Sequence, residues 1–265
     1  MSAPRVITLT SDFGTADGYV GAMKGRILSI APLAALCDLS HDVPPQDVQR
    51  GAWCLRRALP HFPPGTVHLA VVDPGVGSPR EALLVETERF LLVGPDNGLL
   101  FPAARADGLR RVLRIVENPP HWQRSATFDG LSLFAPVAAH LAVGLDPAQV
   151  GQPAERWVEV EPPAPQLQGG TLLGQVQLHD RFGNCITTIT QQALGERALH
   201  GLARGQVQLV PGPAVRWCHH YGELAPGQVG ALWNSDGLLE LTLRDDSLRE
   251  RYGIRVGHVV QVVLP

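Results

Sequence analysis

The chain has 265 residues, 45% of them hydrophobic, and a formal net charge of −3 from 22 basic and 25 acidic side chains. That is material for one large domain or two modest ones with a sizeable core, and the near-balanced charge argues against an electrostatic nucleic-acid binder. No apolar run approaches the roughly 20 residues of a membrane helix, and Cys37, Cys54, Cys185 and Cys218 are too scattered for a disulfide framework, which points to reduced thiols in the cytoplasm.

The first residues lead straight into a strand, Val6 to Thr10, without a signal peptide. Ser11-Asp12-Phe13-Gly14 turns it, and a helix follows from Asp17 or Gly18, with Val20, Met23, Ile27 and Ile30 on one face and Pro32 as its stop. Leu36 to Leu39 reads as a second strand and Asp47 to Leu59 as a second helix. Strands then follow at Val67 to Val72, Leu83 to Val85 and Phe90 to Val93, with Pro95-Asp96-Asn97-Gly98 as a turn. Leu133 to Val143 reads as a helix stopped by Gly144. This alternation predicts an α/β layer structure, a Rossmann-like layered sheet, over residues 1–155.

Prolines and paired glycines mark 156–169 as a linker. Beyond it, Leu172 to Leu178, Val207 to Val210, Val229 to Trp233, Leu238 to Leu243 and Val256 to Leu264 read as short strands between turns such as Asn234-Ser235-Asp236-Gly237. Residues 170–265 are therefore expected to form a small all-β barrel.

The stretch Val71 to Arg80, VVDPGVGSPR, is the most informative. It places Asp73 where a buried strand ends, the usual ligand edge of an open α/β sheet. Gly75 and Gly77 let the chain turn back so that Arg80 folds toward Asp73. Such a pair either orients a water or polar substrate or is a weak surface ion pair. Other strand-end loops carry Asp12 and Asp17, Asp38 with His41 and Asp42, and Asp96 with Asn97. Asp38, His41 and Asp42 are metal-ligand types, but without an HxH or HxxxH core they read rather as caps and turn formers, and no metal is nominated. There is no Walker loop, GxGxxG or GxSxG elbow. In the second half, Asn184 offers a donor and an acceptor that suit an adenine edge, or else serves a turn after Gly183. Ser235 either holds a carboxylate or belongs to a plain hairpin.

Six segments taken together resemble the S-adenosyl-L-methionine hydroxide adenosyltransferase family, relatives of the fluorinase and chlorinase enzymes. They are TSDFGTADGYVGAMKG (Thr10 to Gly25), DLSHDVPPQDV (Asp38 to Val48), FPPGTVHLAVVDPGVGSPR (Phe62 to Arg80), GPDNGLL (Gly94 to Leu100), HDRFGNCITTI (His179 to Ile189) and NSDG (Asn234 to Gly237). The resemblance implies hydrolysis of S-adenosyl-L-methionine by water or hydroxide attack at ribose C5′, giving adenosine and L-methionine. It implies no cofactor, since S-adenosyl-L-methionine is the substrate, and a homotrimer with active sites between subunits. By position, Asp12 would hold the ribose hydroxyls and Asn184 the adenine, with Asp180 and Ser235 near the methionine amino and carboxylate groups. Water activation would fall to Asp73 and Arg80.

The family's third water-activating group is a His within TFHGRD. Here the segment reads Thr127-Phe128-Asp129-Gly130-Leu131-Ser132, so Asp129 stands in its place. Asp129 would either orient the water or pair with Arg80. Arg244-Asp245-Asp246 likewise replaces small residues that the family prefers near adenine. The halogenases carry an aromatic residue where Asp73 stands, so the resemblance favours water over halide. The alternative is a binding or sensing protein for adenosine or S-adenosylmethionine that the exchange at Asp129 has silenced.

Overall fold

In a computed structural model, which describes residues 6–116, 125–161, 163–194 and 206–263, the chain divides into two compact units, Met1–Glu161 and Pro162–Pro265. The first is built on β1 (Val6–Ser11), α1 (Tyr19–Ile30), β2 (Ala35–Ser40), α2 (Val48–Ala58), β3 (Val67–Val71), β4 (Ala82–Glu86), β5 (Leu91–Pro95), α3 (Phe101–Ala106), β6 (Arg111–Ile115), α4 (Ala135–Ala142) and β7 (Gly151–Pro153). Its seven strands lie in the order β2-β1-β3-β5-β4-β6-β7. The first four run parallel, whereas β4, β6 and β7 pair antiparallel with their neighbours.

The sheet is covered on both faces, which is why β3 (VHLAV) is buried at every residue. Alternate side chains serve opposite cores. Leu69 and Val71 pack with Met23 and Ile27 of α1 and Val137 and Leu141 of α4. Ala70 and Val72 pack with Ala52 and Leu55 of α2 and Phe101 and Ala104 of α3. Helix α1 starts behind Gly18, which is left-handed at φ 75°, and α2 starts where the Asp47 carboxylate accepts the Arg50 N–H at 2.9 Å.

His68 on β3 is buried, its Nδ1 2.7 Å from Thr8 Oγ1. The edges of its neighbours Phe62 and Phe90 complete an apolar cage. Burial, only partly opposed by Asp107, pushes its imidazole down to about 4.

Helix α3 and strand β6 stand where no element was expected. The α3 sequence FPAARA is too short and too uniformly small to display a period, and β6 (RVLRI) has two adjacent buried residues instead of strict alternation. The helix expected from Leu133 begins as a π turn at Gly130–Phe134 before α4. Pro136 has no N–H to give to the preceding turn, and the Ala135 N–H reaches back to the Gly130 carbonyl.

The segment 156–169 is shared between the units. Trp157 stacks on Phe101 with ring centroids 5.8 Å apart, the Val158 N–H reaches Asp96 at 2.8 Å, and Glu159 pairs with Arg105 at 2.6 Å. The second unit then opens with β8 (Gln166–Gln168), followed by β9 (Thr171–His179), β10 (Cys185–Thr190), β11 (Gln206–Val210), β12 (Arg216–Trp217), β13 (Val229–Trp233), β14 (Leu238–Leu243), the short α5 (Leu248–Tyr252) and β15 (Val259–Val263).

Its strands follow the path β11-β15-β9-β10-β14-β13-β12. A bridge from Gln208 of β11 to Ala214, just before β12, brings the two ends of that path together into a nearly closed barrel. Val176, Cys185, Ile189, Leu239, Leu241, Val260 and Val262 share its core. Burial pushes the Cys185 thiol up to about 12, as expected of an inert core sulfur. Among the described residues no helix is long and apolar enough to cross a membrane.

Candidate functional site

The parallel half of the first sheet has a topological switch. After β1 the chain crosses to β2 on one side, and after β3 it proceeds to β4 and β5 on the other. Loops leaving adjacent parallel strands in opposite directions open a crevice at the carboxyl edge. In the register of β1 and β3, Ser11 lies opposite Val71. Asp12 and Asp73 therefore leave the sheet side by side, one residue out of step.

Arg80 does fold back on Asp73. Its Nε donates to Asp73 Oδ1 at 3.0 Å and its Nη2 donates to Asp73 Oδ2, a two-pronged pair with both side chains nearly buried. The same Nη2 donates to Asp129 Oδ2 at 2.6 Å. One guanidinium thus bridges two carboxylates, those of Asp73 and Asp129. Its Nη1 reaches the Glu81 carbonyl at 3.4 Å, and its plane lies over the Phe134 ring, 5.3 Å from the centroid. Burial works against the charge on Arg80, but the two carboxylates outweigh it and raise the guanidinium above its ordinary value.

Backbone fixes this clamp from several directions. The Gly75 N–H donates to Asp73 Oδ1 at 3.2 Å and the Ser125 N–H to Asp129 Oδ1 at 3.2 Å. Asn97 gives its side-chain N–H to the carbonyl of Val72, immediately before Asp73, at 2.8 Å. Gly77 sits at φ 79°, and a Cβ there would come within 2.7 Å of the Ala126 carbonyl oxygen. Only glycine lets the 73–80 loop lie against the segment that carries Asp129.

Asp12 accepts the main-chain N–H of Gln46 at 2.8 Å through Oδ2. Two other contacts join the same loops: Ser11 Oγ lies 2.7 Å from His41 Nδ1, and the Gly14 N–H donates to the His41 carbonyl at 2.8 Å. On the far side of the ring, His41 Nε2 faces Asp38 Oδ1 at 3.1 Å, and Lys24 Nζ takes Asp38 Oδ2 at 2.6 Å. Burial pushes the Asp38 carboxyl up, but Lys24 and His41 together hold it below its ordinary value. Asp38 and His41 are therefore engaged with Lys24 and Ser11. Asp96, at the end of β5, accepts the Val158 N–H, while burial holds its carboxyl above the usual range.

In the second unit the turn after β9 is organised by Asp180. Its Oδ1 accepts the N–H groups of Phe182 and Asn184, each at 2.9 Å, and its Oδ2 accepts the Asn184 amide at 2.8 Å. Thr242 donates its hydroxyl to Asn184 Oδ1 at 2.6 Å. An amide group offers two donors and two acceptor sites. Asp180 and Thr242 each take one, so the Asn184 amide is held in one orientation with one donor and one acceptor over, the pattern that complements an adenine edge.

Asp180 is thus brought together with Asn184. Ser235 lies in the turn before β14, at the opposite end of that strand from Thr242 and seven positions earlier in the chain. Arg244 and Asp245, at the close of β14, pair with each other at 3.0 Å, and Arg244 Nη1 holds the Tyr221 carbonyl at 2.9 Å.

Gln46, Ser125, Phe134 and Thr242 are not among the candidates read from the sequence. Gln46 and Ser125 contribute main-chain groups, which any residue type supplies. Thr242 meets Asn184 across 58 positions. Asn97, which the sequence places with Asp96 on a strand-end loop, serves here through its hold on the Val72 carbonyl.

Residues 7–151 match the family model described as the SAM hydroxide adenosyltransferase N-terminal domain, and residues 174–261 match that of the C-terminal domain. The chain is 39% identical to the (R)-S-adenosyl-L-methionine hydrolase of Thermus thermophilus, covering 98% of this chain and all of the relative. It is 37% identical to the protein of that name from Salinispora tropica, over 97% of each. A fluorinase of an Actinoplanes species is 26% identical over 97% of each chain. Among solved structures, an uncharacterized conserved protein from Thermotoga maritima superposes with a TM-score of 0.88 at 30% identity, covering 97% of this chain and 99% of that one.

Proposed function

The chain belongs to the SAM hydroxide adenosyltransferase family, and from that membership we propose that it hydrolyses S-adenosyl-L-methionine to adenosine and L-methionine. The observation that carries the reading is the buried Asp73–Arg80–Asp129 clamp at the switch-point edge of the sheet. Its placement supports a nucleophilic water held in line with C5′ and sulfur. The water oxygen forms the new bond to C5′ as the C5′–S bond breaks. Its electron pair neutralises the sulfonium, which leaves as the thioether of methionine, and one proton is released. A cationic sulfur is already a good leaving group, so the chain's task is to exclude bulk water, align one molecule and accept that proton.

Asp73 accepts the proton. The Nε and Nη2 hydrogen bonds of Arg80 run to the two carboxylates, so its role is to hold them in place and supply counter-charge. Asp129 pairs with Arg80 and offers the water a second acceptor. With both carboxylates ionised, the clamp carries two negative charges against one positive, an excess of one. That repels an anionic nucleophile and favours water over halide. Asp12 holds the ribose hydroxyls, Asn184 the adenine and Ser235 the methionine carboxylate. Asp180 sets the Asn184 amide and brings negative charge toward the methionine ammonium. The reaction takes place in the cytoplasm, needs no cofactor, and is carried out by a homotrimer with active sites at subunit interfaces, a state that light scattering of the purified protein measures.

Incubation with S-adenosylmethionine in H₂¹⁸O, followed by mass spectrometry, tests the reaction. Adenosine labelled at its 5′ oxygen and abolished by Asp73→Ala is expected. Binding of S-adenosylmethionine with no adenosine above the Asp73→Ala background would replace the reading with that of a sensing protein. Chloride or fluoride in the same incubation is expected to give no halogenated nucleoside.

A further inference from the structure

Asp12 stands on a turn that its own sequence leaves loose, since Gly14 and Gly18 both sit at positive φ within six residues of it. The loop after β2 grips that turn at three points: the Ser11 hydroxyl, the Gly14 N–H and the Asp12 carboxylate. His41 is the buried centre of the grip. Asp38 Oδ1 lies 3.1 Å from Nε2; in the tautomer with its N–H on that side, Nδ1 is the acceptor and the Ser11 O–H donates to it. The lone pairs of Ser11 Oγ then face the Phe13 N–H, 3.4 Å away. The hydrogen bonds run in one direction from Phe13 through Ser11 to His41, and so fix the backbone on both sides of Asp12. At the other end of the loop, Gln46 adopts φ 66°, an uncommon conformation for a residue with a side chain, and thereby aims its N–H at Asp12 Oδ2. The other oxygen, Oδ1, takes no part in that hydrogen bond.

We infer that His41 is a positioning residue for substrate recognition: through Ser11 and the 41–46 loop it holds the Asp12 carboxylate at the angle needed to accept a vicinal diol. The inference rests on the assignment of Asp12 to the ribose hydroxyls made above. It separates His41 from the chemistry at C5′, so its loss acts on binding of the diol rather than on the clamp.

The test is calorimetric binding of adenosine and of 2′,3′-dideoxyadenosine, which lacks both hydroxyls, to the full chain and its variants. The parent is expected to prefer adenosine by about tenfold or more, the range for hydrogen bonds to a charged acceptor. His41→Ala is expected to reduce that preference to less than about threefold while leaving affinity for the dideoxynucleoside nearly unchanged. His41→Asn, whose amide still reaches Ser11, is expected to recover most of it. Ser11→Ala removes one hydroxyl with the ring in place, is less disruptive to folding, and is expected to lose the preference too. If Asp12→Ala abolishes the preference while His41→Ala and Ser11→Ala keep it, the inference is overturned and the Asp12 assignment survives. If the parent binds the two nucleosides alike, the assignment and the inference fall together.

Discussion

Acid should loosen the first unit through one residue, His68. Its folded-state value of about 4 lies some 2.5 units below the ordinary histidine value of 6.5. The unfolded chain therefore binds a proton at a pH where the folded chain refuses it. At neutral pH both forms are unprotonated and His68 contributes no pH dependence. As pH falls below 6.5 the unfolded state gains the proton first and stability drops, until the folded value is passed and the loss levels off. At about 1.4 kcal/mol per unit, the loss is about 2 kcal/mol by pH 5 and about 3 kcal/mol by pH 4. At the acid end of this range the unfolded chain also begins to protonate Asp38 and Asp107, whose carboxyls are held low in the folded chain. The His68 contribution is isolated by comparison with His68→Asn, which retains an amide facing Thr8 but does not titrate. Urea unfolding followed by tryptophan fluorescence, from pH 7.5 to pH 4, supplies both stability curves. The parent is expected to start above the variant and to lose about 3 kcal/mol more across the range. Parallel curves would refute the account, because they would mean that the proton enters the folded core as readily as the unfolded chain.

Removing Arg80 strands two buried carboxylates, so Arg80→Ala is expected to cost about 3–5 kcal/mol in urea unfolding and to reduce hydrolysis by at least about a hundredfold. Adding Asp129→Asn to that variant should restore part of the stability but not the turnover, as chromatographic assay of adenosine would show. Thr242→Val should weaken adenosine binding by about tenfold by loosening the Asn184 amide, and cost about 1–3 kcal/mol in urea unfolding because a buried amide oxygen loses its donor; unchanged affinity would place adenine elsewhere. Gly77→Ala forces a side chain into a left-handed turn and against the Ala126 carbonyl. It should lower the melting temperature by several degrees and slow hydrolysis, and a variant matching the parent in both would show that the 73–80 loop has room to shift.

The legible parts of the fold were those punctuated by glycine and proline. Asp73-Pro74-Gly75 after an apolar run marked the end of β3, and Pro32 marked the stop of α1, because those residues restrict the backbone whatever lies around them. Helix α3 carries no such mark. Its six residues bury Phe101, Ala103 and Ala104 and leave Arg105 and Ala106 exposed, a span too short and side chains too small to display a period. At the site, the Asp73–Arg80 pair was legible because the two residues share one tight loop. Whether Asp129 would orient water or pair with Arg80 was open, and in the structure its Oδ2 meets Arg80. The orientation of Asn184 depends on Thr242, which meets it through strand register, and the hold on Asp12 depends on a main-chain N–H. Neither leaves a trace in residue type.

The π turn ahead of α4 sets the direction in which the clamp's second carboxylate leaves the helix. At about 100° per residue, an unbroken α-helix would place position 129 about 80° and about 120° away from Val137 and Leu141. The extra residue in the turn at Gly130–Phe134 brings it to within about 20° of both. Asp129 therefore leaves the chain on the buried side, where Arg80 meets it. Pro136, which has no N–H to close an α turn there, keeps that phase in place. The aim of one carboxylate is thus written into the backbone of the helix behind it.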